Sequence, residues 1–272
     1  MKNMIKILTI MSLLGLMSCK NTISSNGNNN QNQPKNQLAL LANGEDFIRK
    51  GFISKDGWQL TFDKVDLNLG KVTAYQTNTP FNPDVNQEID FSEKSELVKD
   101  IIKINLAEGD EKSPPILVTQ KEVAIGNYNA LSWSLIPRNN EDNNYSILLE
   151  GIATKDNQNI NFSLKFNEPL TYLCGEYVGE ERKGIVTEEN SAQVEITLHF
   201  DHLFGDESMS QDDEINQDAL GFEPFSNLAT SNNIKVDQIT LQNKFDSPTY
   251  ETLQNIFKNL GHVGEGHCIV ES

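Results

Sequence analysis

From Trp58 to Phe200 the apolar residues recur at every second position rather than at helical spacing. That period turns one face of an extended strand toward a core and the other toward water. Trp58, Leu60 and Phe62 alternate with polar residues, and Val65, Leu67 and Leu69 continue on the opposite parity. One inserted residue produces such a switch, so a β-bulge near Lys64, or a break between two strands, is expected. Leu131, Trp133 and Leu135 alternate with serines and stop before Pro137. Ile147 and Leu149 lead into Lys155-Asp156-Asn157-Gln158, after which Ile160, Phe162, Leu164 and Phe166 alternate again, the pattern of a β-hairpin with a polar turn. Val194, Ile196, Leu198 and Phe200 form the last clear strand, and 101–106, 116–125 and 172–178 are further candidates. Strands at this spacing with no long helix between them predict a mainly β fold, an antiparallel β-sandwich over residues 38–203.

Residues 204–272 change character. Phe204 to Asn227 is irregular and acidic, with Asp206, Glu207, Asp212, Asp213, Glu214 and Asp218 close together. The order of these acids does not follow the calcium-binding loop of an EF-hand, so a solvated loop is expected. A helix then starts with Ser247 as N-cap and Pro248 at N1. Its apolar stripe is Tyr250, Leu253, Ile256, Phe257 and Leu260, and Gly261 is placed as the C′ residue that ends it. This loop, helix and a His/Cys tail are expected to pack on the sandwich.

The N-terminus reads MKNMIKILTIMSLLGLMSCK. Lys2 and Lys6 precede an apolar run from Ile7 to Met17, too short for a permanent membrane span and suited to a cleaved export signal. Leu16-Met17-Ser18-Cys19 resembles the lipobox of bacterial lipoproteins, with Met17 the looser match. The resemblance covers about the first 20 residues. It implies that 1–18 is a signal peptide and that Cys19 becomes the acylated first residue, carrying chains of the palmitate type. It places the protein in the bacterial cell envelope, anchored to the bilayer and either periplasmic or surface-exposed. Each buried methylene contributes roughly 0.8 kcal/mol to such anchoring. The Asn/Gln-rich segment that follows, within 19–37, has almost no apolar content and reads as a flexible tether.

The formal net charge of −17 leaves no basic footprint for nucleic acid, so that class of partner is excluded. An acidic surface instead raises the local concentration of cations. With Cys19 used by lipid, Cys174 and Cys268 form an even pair in an exported chain, and a disulfide between them is expected. Thiolate metal ligation is the alternative, disfavoured by an oxidising compartment.

All four histidines fall near the end of the chain, His199 and His202 in LHFDHLF and His262 and His267 in GHVGEGHC. Histidine is the commonest metal-ligating side chain. His199, His202, His262 and His267 are therefore the candidate ligands, with Asp201 and Glu265 beside them as ligands or as acceptors of imidazole hydrogen bonds. Such a set suits one zinc ion in tetrahedral geometry or one copper ion in tetragonal geometry. Structural readings stay open: His202 would plug the sandwich end and His262 would cap helix carbonyls. No H-E-x-x-H, G-x-S-x-G, phosphate-binding or dinucleotide-binding signature occurs in the mature chain. The expected function is transition-metal binding by an anchored lipoprotein, with a transporter or surface protein as a further partner. The alternative is a surface adhesion or interaction module without metal. Catalysis is not expected; a metal-dependent hydrolase using Glu265 as base is the remaining enzymatic reading.

Overall fold

The computed structural model describes residues 36–85, 88–138, 144–175, 184–264 and 266–271. The export signal, Cys19, nearly all of the tether, Glu265 and the side chain of His267 lie outside the described residues, as does the 176–178 end of one expected strand.

The chain enters through β1 (Gln37–Asn43), helix α1 (Glu45–Lys50) and β2 (Phe52–Ile53), then runs along the longest strand, β3 (Gln59–Gln76). Next come β4 (Glu93–Val98), β5 (Ile102–Asn105), β6 (Ile116–Glu122), β7 (Gly126–Asn127) and β8 (Ala130–Leu135). β9 (Ile147–Lys155) and β10 (Gln158–Phe166) form a hairpin, followed by β11 (Leu170–Cys174), β12 (Ile185–Val186) and β13 (Ala192–Leu198). Three short helices follow, α2 (Asp201–Phe204), α3 (Glu214–Asp218) and α4 (Glu223–Ser226). The chain ends with β14 (Asn233–Asp237), α5 (Gln238–Lys244), α6 (Ser247–Lys258) and the hairpin of β15 (Gly261–Val263) and β16 (Gly266–Val270).

The main sheet runs β14-β10-β9-β3-β8-β11-β16-β15-β13-β1-β6, with β2, β4 and β5 also on β3, and it forms a sandwich-like arrangement. Most pairings are antiparallel; β1–β13 and β10–β14 are parallel. The first half of β3 pairs with β9 and its second half with β8. Its register shifts between Phe62 and Lys64, which is the bulge expected from the parity switch. The β9–β10 turn places Asp156 and Asn157 at φ of 48° and 64°, the left-handed pair of a two-residue hairpin turn.

Several features differ from the sequence reading. The α6 N-cap is Asp246, whose carboxylate accepts the Thr249 N–H at 2.9 Å, and Ser247 is the first helical residue. Aspartate caps as well as serine does, and Pro248 is tolerated one position further in. The helix stops at Lys258, and Gly261 opens β15 instead of ending the helix. A Cβ on Gly261 would lie 2.7 Å from the Trp133 ring and 2.8 Å from that of Tyr172, so glycine is there for close packing. The His/Cys tail forms two strands, β15 and β16, that join β13 to β11.

The core is dense in aromatic side chains, with Trp133, Tyr172, Phe166, Phe200, Phe204, Phe222, Phe225 and Phe257 fully buried. Phe222 touches Trp58, Phe162, Phe204 and Phe225, which fastens the α2–α4 segment to the strands. The acidic segment is tied down as well. Buried Asn216 bonds the backbone of Asp206 and Ser210, while Lys55 Nζ donates to the carbonyls of Asn216 and Ala219. Burial pulls the Lys55 ammonium below its ordinary pKa against the nearby Asp56 and Asp218 charges. Asp213 caps α3 through the Ile215 N–H.

Candidate metal centre

Parallel pairing sets Asn43 at the end of β1 beside Thr197 near the end of β13. On the other side of β13, Thr197 lies across from His262 of β15, and His262 lies across from His267 of β16. Three strand ends therefore meet in one place: the ends of β1 and β13 and the start of β15. Both faces of β13 are covered here. Val194, Ile196 and Leu198 face the core, while Glu195 and Thr197, on the other parity, are also buried.

His199 follows the last residue of β13, and its N–H donates to Leu260 O at 3.1 Å, tying the strand end to the α6–β15 connection. The chain then turns into α2, which returns His202 to its neighbour: the His202 N–H reaches His199 O at 3.2 Å and Asp201 Oδ1 at 3.0 Å. One ligand atom from each of His199, Asp201 and His202 lies within 4.8 Å of the others. Among the described residues this is the single His/Cys/Asp/Glu group with such spacing, and the acidic 206–218 loop forms none.

His262 adds a third imidazole. Its ring centroid is 4.1 Å from that of His199 and 5.4 Å from that of His202, and the His199 and His202 rings are 5.6 Å apart. Asp201 and His262 are buried, and His199 and His202 are half-buried. His202 Nδ1 lies 3.2 Å from Asn259 O. A carbonyl oxygen only accepts, so Nδ1 is the donor in this contact and Nε2 is the ring atom left to face a ligand. His199 Nδ1 faces Glu45 Oε2 at 3.5 Å, a contact that favours the same tautomer.

Zinc sits about 2.0–2.2 Å from nitrogen or carboxylate ligands, so ligands of one ion lie roughly 3–4 Å apart. The ligand atoms of His199, Asp201 and His202 lie within 4.8 Å of one another, slightly wider than that spacing. His202 and Asn259 also line a cleft of about 850 Å³ between α3 and α6, whose walls include Glu214, Asp218 and Lys258. Through His202 the histidine group borders this cleft.

The Cys174–Cys268 disulfide forms between directly opposed residues of β11 and β16, with Cα atoms 4.3 Å apart. Trp133 Nε1 donates to Cys174 Sγ at 3.2 Å, and the Trp133 ring stacks on Tyr172 at 4.3 Å. Tyr172 in turn donates its hydroxyl proton to Phe257 O, at the end of α6. The bridge thus belongs to the packing against which Gly261, next to His262, is seated.

The sequence reading brought together His199, Asp201, His202 and His262; the structure groups the ligand atoms of the first three and sets the His262 ring beside those of His199 and His202. His267 is paired with His262 by backbone register alone, and Glu265 lies outside the described residues. Asn43, Glu45 and Glu195 were missed. Asn43 Nδ2 donates to Glu195 Oε1 at 3.2 Å, and Asn43 Oδ1 accepts the Glu45 N–H at 2.9 Å. Nothing in the local pattern of NGED marks these residues, because their place depends on the distant β1–β13 pairing. No protein-family model, curated protein or solved structure matches this chain.

Proposed function

We propose that the protein binds one transition-metal ion, zinc or copper, through His199, His202, His262 and Asp201. The observation that carries this reading is the His199, Asp201 and His202 group at the β13–α2 junction, with the His262 ring of β15 beside it. Nitrogen ligands with one carboxylate suit tetrahedral zinc or tetragonal copper. The net charge of −17 supports the reading by concentrating cations near the surface. The lipobox-like Leu16-Met17-Ser18-Cys19 supports a lipid-anchored protein that captures the ion outside the cytoplasm and passes it to a transporter or surface protein.

Elemental analysis of the full-length protein, purified without an affinity tag or added metal, tests the reading beside a His199→Ala/His262→Ala variant. One equivalent of zinc or copper, lost in the variant, supports the proposal and names the metal. No metal in either protein, even after incubation with both ions and desalting, overturns it. Incorporation of labelled palmitate, abolished by Cys19→Ala, tests the anchor.

A further inference from the structure

Glu45 differs from its neighbours in having a left-handed backbone. Its φ is +59°, a region uncommon for a residue with a long side chain, while the preceding Gly44 has an ordinary φ of −112°. Gly44 is required for space instead: a Cβ there would lie 2.9 Å from Ile48 Cγ1 and 3.2 Å from Leu106. The unusual conformation therefore falls on the carboxylate. Asn43 accepts the Glu45 N–H and with its other amide atom holds Glu195. The result is Glu45 Oε2 at 3.5 Å from His199 Nδ1. An acidic residue in the first turn of α1 suits the helix dipole, yet Asp46 already supplies one, and that role needs no left-handed backbone. Residues held in sparse backbone regions concentrate at functional sites.

We infer that Glu45 is a positioning residue of the metal centre: its carboxylate accepts the His199 Nδ1 proton and holds that ring with Nε2 toward the ion. This assignment rests on the metal reading above. It makes the β1–α1 junction part of the centre. It also gives His199 the counterpart of what the Asn259 carbonyl does for His202. Carboxylate–imidazole pairs of this kind orient the ligand and raise its basicity, and their loss typically weakens metal binding about 10- to 100-fold.

The test is zinc titration of the full-length protein against a chromogenic chelator, for wild type, Glu45→Gln and Glu45→Asn. Long-range proton–nitrogen spectra of the zinc-loaded protein report the His199 tautomer, and thermal melts of the metal-free protein report folding. Wild type is expected to bind one equivalent with the His199 proton on Nδ1. Glu45→Gln is expected to bind about 10- to 100-fold more weakly with the metal-free melt unchanged, because its neutral amide oxygen is a weaker acceptor than the carboxylate. Glu45→Asn covers the case in which the glutamine variant misfolds, because asparagine takes the left-handed conformation more readily. Undiminished affinity in a folded variant, or a wild-type His199 proton on Nε2, overturns the assignment and leaves the metal reading standing. No zinc bound by wild type overturns both.

Discussion

Opening the Cys174–Cys268 disulfide is expected to cost both stability and metal affinity. The two cysteines are 94 residues apart in sequence, and releasing a loop of that length returns about 4.7 kcal/mol of chain entropy to the unfolded state. For a folded region of this size, each kcal/mol shifts Tm by about 2–4 °C, so reduction is expected to lower Tm by roughly 10–20 °C. The functional effect follows from how little else holds β16. It pairs with β11 at three positions and with β15 at two. β15 carries His262, so loosening β16 frees one of the imidazoles. The measurement is guanidinium unfolding of oxidised and reduced protein, with Cys174→Ala/Cys268→Ala as the irreversible form, alongside zinc titration of each. Reduced protein keeps its sulfur atoms and isolates the loop contribution; the alanine variant adds a packing loss, since both cysteines are buried. The reduced state should also show a larger m-value, because its unfolded chain is more expanded. A reduced protein melting within about 2 °C of the oxidised form would refute the entropic argument. Equal zinc affinity in both forms would refute the link between bridge and centre.

Three further outcomes follow from the same geometry. Gly261→Ala forces a methyl group against the Trp133 and Tyr172 rings and is expected to destabilise by about 1–3 kcal/mol, read by chemical denaturation, and to weaken zinc binding by displacing His262. Chelation of a metal present at 100 times its Kd should remove about 2.7 kcal/mol of stabilisation, a drop in Tm of roughly 5–11 °C by calorimetry, whereas no shift counts against a bound native-state ion. The indole N–H of Trp58, with Lys155, holds the Glu223 carboxyl below its ordinary pKa. Burial would raise that of Glu150, but hydrogen bonds from Lys64 and Ser163 outweigh it. Both carboxylates therefore stabilise the fold above their unfolded value, near 4.3, and that stability is lost as pH falls through the lower folded values. Glu150→Gln/Glu223→Gln should be less stable at pH 7 and should flatten the fall in stability between about pH 5 and pH 3; an unchanged slope would exclude these groups as its source.

Legibility in the sequence followed the range of the interaction. The bulge at Phe62/Lys64 and the Asp156-Asn157 turn are written into local parity and turn chemistry, and both were readable. His199 and His202 were readable as neighbours because a single helical turn joins them. β14 was also within reach, since Ile234 and Val236 alternate with polar residues and are buried. Gly261 was misassigned because a glycine after an apolar stripe looks the same whether it stops a helix or makes room for an aromatic ring. The packing partners that decide between these, Trp133 and Tyr172, lie far away in sequence. Glu45 and Glu195 were invisible for the same reason: a parallel ladder between β1 and β13 joins residues some 150 positions apart, and no periodicity records it.

The placement of the centre has a physical reason. Along a strand, alternation commits each side chain to the core or to the opposite face, and a buried imidazole there must find a partner within the ladder. At an element end that commitment lapses: His199 lies one residue past β13, Asp201 and His202 in the first turn of α2, Glu45 two residues past β1 and Asn259 just past α6, while His262 sits inside the short strand β15. Such ends also leave backbone carbonyls without intrahelical partners, and the Asn259 carbonyl is the group that meets His202 Nδ1. An ion held here would bridge junctions that the hydrophobic core stabilises only indirectly. Its binding energy would oppose separation of β1, β13 and β15 from one another. Metal binding should therefore protect the amides of these three strands from hydrogen exchange more than those of β9 and β10, which pair over nine residues without it. Uniform protection across the sheet would mean instead that the ion stabilises only the global fold.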